Sequence, residues 1–282
     1  PITTELDTDL DLTFTNPGIP LKTGSQRLFT KLISSMNNTS VRRNTMINLE
    51  RIRCSIAEEF SFQPSDKAIW TSIRSTNIHR LTRNFLWKCI HNIYYVGPFW
   101  EHIPSLETSG LCETCHVTES MEPILLECDN PGQHQIWTLT EKLWRLRFPS
   151  WPKLNWGLIL GCGLARFKSP FTRVKNCFFT ILVSTAIKLI WNLRNERLFE
   201  THSQHSSTEI HNRWVSLINT ALKRDILLTD RIRFGSLAIK KELVLHTWSG
   251  TLLDEESLPD DWVKSKGVLV GIRPTTLKDR VG

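Results

Sequence analysis

Cys112-Glu-Thr-Cys115, with Cys128 following after twelve intervening residues, is the constellation most able to do chemistry. Two thiolates separated by two residues fit on one tight turn and can share a tetrahedral zinc, with a third cysteine from the next element closing on it. Gly110 just upstream suits such a turn. Two other readings stay open: three separate structural thiols, or a redox dithiol. The redox motif, however, opens a helix after a strand, and no such pattern surrounds Cys112. A fourth ligand has no obligatory place; His102, His116 and His134 are the nearest histidines in the chain. Cys54, Cys89, Cys162 and Cys177 fall on apolar helix faces and read as core. His202, His205 and His211 read as a solvated linker. A Gly-rich phosphate loop, a Gly-x-Ser-x-Gly elbow and a His-Glu-x-x-His pair are all lacking, so the chain is expected to be non-enzymatic.

The elements that must position these thiols are helical. Apolar residues recur at Leu28, Phe29, Leu32, Ile33, Met36, then at Leu49, Ile52, Ile56, Phe60, and again at Ile78, Leu81, Phe85, Leu86, Cys89, Ile90, Ile93. Gly97-Pro98 ends the third helix, and Ile136, Thr140, Leu143 and Trp144 mark a fourth. A long helix is expected from about Phe171 to Glu200, and a capping box at Ser206 and Glu209 opens another. Only Gly267–Ile272 reads as a strand. The expected class is mainly α: a multi-helix bundle with a small inserted knuckle segment and an extended acidic C-terminal tail. Seams are expected at Phe148–Pro152 and Thr201–Ser207. The longest apolar run, Cys177–Trp191, contains Lys188 and is shorter than the roughly 20 residues of a bilayer span, so no membrane span is expected.

At 282 residues, 40% apolar and 22% charged, the chain can bury one large core or two ordinary ones, which excludes collagen-like and disordered classes. It begins at Pro1 without an initiator Met and is expected to be part of something longer. Seven cysteines, an odd number, and no apolar leader point to a reducing, intracellular compartment. The net charge of +7 is modest, but it is laid out in blocks. From Lys67 to Trp100 there are five Lys or Arg and no acid; from Glu101 to Glu141, eight acids and no Lys or Arg; from Lys142 to Asn195, ten bases and no acid. The basic blocks are candidate phosphate contacts, led by Arg74, Arg80, Arg83, Lys88, Arg173, Lys175, Lys188 and Arg194. The alternative is that they solvate outer helix faces.

Four stretches carry a resemblance to a known family: Arg83-Asn-Phe-Leu-Trp-Lys-Cys-Ile-His-Asn92, Gly97-Pro-Phe-Trp-Glu-His-Ile-Pro104, the Cys112–Cys128 segment, and Ile190-Trp-Asn-Leu-Arg-Asn-Glu-Arg197. Together with the tail segments Thr247–Leu252, Leu258–Trp262 and Gly267–Gly271, they resemble the zinc-binding region that lies C-terminal to the reverse transcriptase, and often to an RNase H domain, in fungal non-LTR (LINE-type) retrotransposon polyproteins. The family pattern Cys-x2-Cys-x7-His-x4-Cys places zinc ligands at Cys112, Cys115 and Cys128 and meets Pro123 where its His belongs. Proline has no donor atom, which leaves His116 or His134 for the fourth position. The resemblance divides the chain into a linker (1–24), a helical connector (25–64), a reverse-transcriptase zinc-binding-like domain (65–148), a C-terminal helical region (149–248) and a tail (249–282). It implies polymerase and RNase H centres upstream of this chain and a nuclear location. The partners it implies are RNA or DNA and the upstream reverse transcriptase domain. A helical protein-interaction scaffold without metal or nucleic acid is the competing reading.

Overall fold

The structure, a computed structural model, describes residues 24–36, 42–106, 110–112, 114–128, 131–168, 171–201 and 205–272. Most of the expected linker and residues 273–282 of the expected tail lie outside the described residues. The chain forms two compact units, residues 1–42 and 43–282. In the first, α1 (Gln26–Met36) begins where the Ser25 hydroxyl accepts a hydrogen bond from the Leu28 amide at 3.3 Å, an N-cap that satisfies one orphan donor.

The second unit is built from α2 (Arg43–Phe60), α3 (Asp66–Ser72), α4 (Arg80–Ile90), α5 (Pro131–Arg145), α6 (Trp156–Leu160), α7 (Thr172–Glu196), α8 (Ser207–Leu227), α9 (Arg231–Phe234) and α10 (Lys241–Trp248). The mainly helical expectation holds. Helix α7 is the axis: it packs against α4, α5, α6, α8 and α10, and residues on nearly its whole circumference are buried. Together with the wide turn at Arg197–Thr201 it gives a helical segment, Thr172–Phe199, long and apolar enough to cross a bilayer, which the shorter apolar run in the sequence did not suggest. Of its most apolar window, 72% is buried against the rest of the protein.

Trp144 on α5 gathers the aromatic centre, with ring centroids 4.7 Å from Phe148, 5.5 Å from Trp151, 5.3 Å from Phe167 and 6.0 Å from Phe178. The expected seam at Phe148–Pro152 therefore runs through packed core. Four buried indoles find acceptors within the core: Trp144 donates to Ser150 O, Trp214 to the Thr140 hydroxyl, Trp248 to Asp225 and Trp156 to Asn48. Asn48 is the more economical device. Its carbonyl takes the Trp156 proton at 2.9 Å, while its amide donates to Ile90 O in the last turn of α4 and to Cys89 O, which also accepts from Asn92 N. One side chain thus joins α2, α4 and α6.

Three expectations are corrected. The Gly267–Ile272 strand reduces to an isolated bridge between Leu252 and Val270: the facing segment turns at Glu255–Ser257, and Val270 N donates to Asn219. Residues 249–272 do not extend from the body: Leu252, Trp262, Val263, Val268 and Val270 are buried in the core. Cys54 is exposed, since the buried stripe of α2 runs through Leu49, Ile52, Ile56 and Phe60 and position 54 turns away from it.

Helices α2 and α6 approach at Gly157, where a Cβ would lie 2.1 Å from Arg51 O and 2.3 Å from the Ser55 hydroxyl. A backbone carbonyl cannot yield as a side chain does, so the helices would have to separate. Gly157→Ala is expected to lower stability by about 1–3 kcal/mol in equilibrium urea unfolding, the usual range for overpacking.

Candidate metal centre and its basic flanks

Residues 110–112 and 114–119 form a tight hairpin-like arrangement. Leu111 and Thr118 pair as an isolated antiparallel bridge, Cys112 N donates to Val117 O at 2.9 Å, and Glu119 N donates to Gly110 O at 2.8 Å. Inside it His116 N donates to Cys112 O at 2.8 Å, and His116 takes a left-handed backbone, φ 55°. This closure holds Cys112 and Cys115 on one turn. The chain then passes through a wide turn, Pro123–Glu127, in which Cys128 N donates to Pro123 O at 2.9 Å. The extra residue per turn, a π-type winding, carries Cys128 back toward Cys112.

The result is convergence. The Cys112 and Cys128 sulfurs are 3.6 Å apart, and the three sulfurs of Cys112, Cys115 and Cys128 lie within 4.8 Å of one another. Tetrahedral bonds of about 2.3 Å hold sulfurs roughly 3.8 Å apart, so this spacing fits a metal ion. Burial pushes the Cys112 thiol up, but hydrogen bonds from the Cys115 and Thr114 backbone and from the Cys115 and Cys128 side chains outweigh it and leave the thiol below its ordinary value. A thiol that ionises readily is what a metal requires. The three cysteines could hold a metal ion.

Neither expected histidine completes the set among the described residues. His116 and His134 are both exposed, and the convergent group consists of the three cysteines. A histidine that shares a cavity with Cys128 is His205, which the sequence placed in a solvated linker. Its side chain is only 9% exposed, and it lines a small, partly open cavity of ≈ 40 Å³ together with Cys128, Glu119 and Arg194. His205 Nδ1 lies 3.1 Å from Glu209 and Nε2 lies 3.6 Å from Glu196. Its position directly before the Ser206 cap, whose hydroxyl accepts from Glu209 N at 3.2 Å, was the available signal.

The basic candidates divide. Arg74, Arg80 and Arg173 are exposed, and Arg83 is half-buried with Nε donating to Ile78 O at 2.9 Å. Lys88, Lys175 and Lys188 lean over the rings of Tyr94, Phe148 and Phe85. Arg194 is corrected outright: it is buried in an ion pair with Glu119 and cannot meet a phosphate. The acidic block is also partly neutralised, Glu119 by Arg194, Glu122 by Arg51 and Glu141 by Arg145. No protein-family model, curated protein or solved structure matches the chain.

The thiols should separate by reactivity. Burial pushes Cys162 up to about 12 and Cys89 higher than its ordinary value, so both should resist iodoacetamide near neutral pH until the protein unfolds. Exposed Cys54 should label first. Peptide mapping by mass spectrometry checks the order, and early labelling of Cys89 or Cys162 would contradict the packing described.

Proposed function

We propose that the chain is a non-catalytic nucleic-acid-binding region whose basic helices contact RNA or DNA and whose three-cysteine cluster binds structural zinc. It corresponds to the region that follows the reverse transcriptase in non-LTR retrotransposon polyproteins, acts beside that upstream domain, and works in the nucleus. The observation that carries the reading is the convergence of Cys112, Cys115 and Cys128 at zinc-like spacing, between two stretches rich in exposed cations. Zinc held by the three thiolates would supply a rigid crosslink between the 110–119 loop and the start of α5. All-thiolate donors are soft and favour zinc over magnesium or calcium.

Around α4 the charge is suited to phosphate. His79 is lowered from its ordinary value by burial and by the charges of Arg224, Arg80 and Arg83; Arg83 is lowered by burial and by Arg224. Cations crowd here, and among the described residues Arg74, Arg80 and Arg83 form no ion pair. A polyanion relieves such crowding and releases counterions.

Arg74 and Arg80 are the residues to reverse, because both are exposed, and a Glu at position 80 would sit favourably at the first residue of α4. Arg74→Glu with Arg80→Glu should weaken binding to RNA and DNA and flatten the log K against log salt slope by about 1–2 units, with the melting temperature little changed. An unchanged slope in a folded variant would favour the protein-scaffold reading.

Pro123→His tests the metal half of the proposal. If a histidine there enters the ligand set that the family pattern describes, zinc affinity measured against a competing chelator rises. Unchanged affinity would mean that the turn at Pro123–Glu127 keeps position 123 away from the metal.

A further inference from the structure

Helices α3 and α4 meet at an open cleft of ≈ 440 Å³ whose walls combine aromatic rings with cations. Trp70 and His91 stack at 5.2 Å with an interplanar angle of 16°, and the Trp87 ring meets His91 edge-on at 4.4 Å. Thr45 fixes the far side of His91, its hydroxyl 2.9 Å from Nδ1. Trp87 is 44% exposed, an unusual position for the largest apolar side chain. Arg74 and Arg83 stand on the rim, and Asn84 between them and Trp87 offers an amide with both donors and acceptors.

We infer that this cleft takes an unpaired base of single-stranded nucleic acid, stacked on Trp87, with the neighbouring phosphates on Arg74 and Arg83. The inference rests on the nucleic-acid reading above and narrows it to a strand form and a place. Every base has a π-face, so a tryptophan platform beside a basic rim binds single strands with little regard to sequence. A duplex keeps its bases stacked on one another and cannot present one to Trp87. The other ligand that aromatic walls attract, a cationic group such as methylated lysine, is disfavoured, since two arginines at the rim repel it. The Trp70–His91 stack, braced by Thr45, supplies the rigid wall that makes the platform preorganised.

The experiment uses the full chain and fluorescence anisotropy at low salt, with three labelled probes: a dodecathymidylate, an abasic oligomer of the same length, and a blunt duplex. The thymidylate should bind more tightly than the abasic strand. Trp87→Ala should weaken the thymidylate by about 5-fold or more while leaving abasic and duplex binding unchanged. Trp87→Phe should restore most of the loss. Equal affinity of wild type for thymidylate and abasic strands, or an equal loss on all three probes in Trp87→Ala, overturns the base platform while leaving salt-dependent phosphate binding intact. Absence of salt-dependent binding to every probe overturns both the platform and the nucleic-acid function. Should Trp87→Ala fail to fold, the wild-type comparison of thymidylate with abasic strand still decides.

Discussion

Glu119 and Arg194 are 4% and 6% exposed, and two charges withdrawn from water persist only as a complete pair, because removing either leaves the other uncompensated at a cost of about 3–5 kcal/mol. Arg194 meets both carboxylate oxygens of Glu119 and lies over the Trp191 ring, 5.3 Å from its centroid. The pair fastens the last turns of α7, the central helix, to the end of the loop that carries Cys112 and Cys115. Gly97 completes the fit. Its backbone takes φ 55°, and a Cβ there would lie 1.9 Å from Glu119 O, so the segment after α4 lies directly against the fastened residue. The cysteine loop is thus held from one side by charge and from the other by close backbone packing.

This arrangement explains why a metal would act as a brace. Among the described residues of the loop, one bridge and backbone hydrogen bonds such as Cys112 N to Val117 O and Glu119 N to Gly110 O close it on itself. It is held by Arg194 at one end and by the Cys112–Cys128 approach at the other. Within the acidic block Glu119, Glu122 and Glu141 are each paired with an arginine, so part of its charge is neutralised inside the protein. What separates the loop from the basic cleft is the direction in which α4 turns its exposed side, with Trp87, Arg80 and Leu81 outward and Phe85, Leu86 and Cys89 inward.

Much of this was legible in the residues. The apolar stripe of α2, the cap at Ser206, the length of α7 and the three ligand-type cysteines follow from spacing alone, because each depends on local periodicity or local turn geometry. What depended on distant partners was not legible. Arg194 reads as a surface cation until Glu119, seventy-five positions away, is found beside it. Short α3 and α6 carry too few turns to show a period, and α6 exists by packing Gly157 against α2. The valines near 268 look like a strand but bury themselves singly against α8 and the 249–253 segment. The cleft at Trp87 was hidden for the same reason: its aromatics come from two helices and a cap residue, and only the fold brings them together.

The central claim is that Cys112, Cys115 and Cys128 are one metal centre. Zinc K-edge X-ray absorption on the purified, zinc-loaded chain tests it most directly. The account predicts a first shell with three sulfur scatterers at about 2.3 Å and one lighter atom. A shell of nitrogen and oxygen alone, or no stoichiometric zinc retained after dialysis, would contradict it.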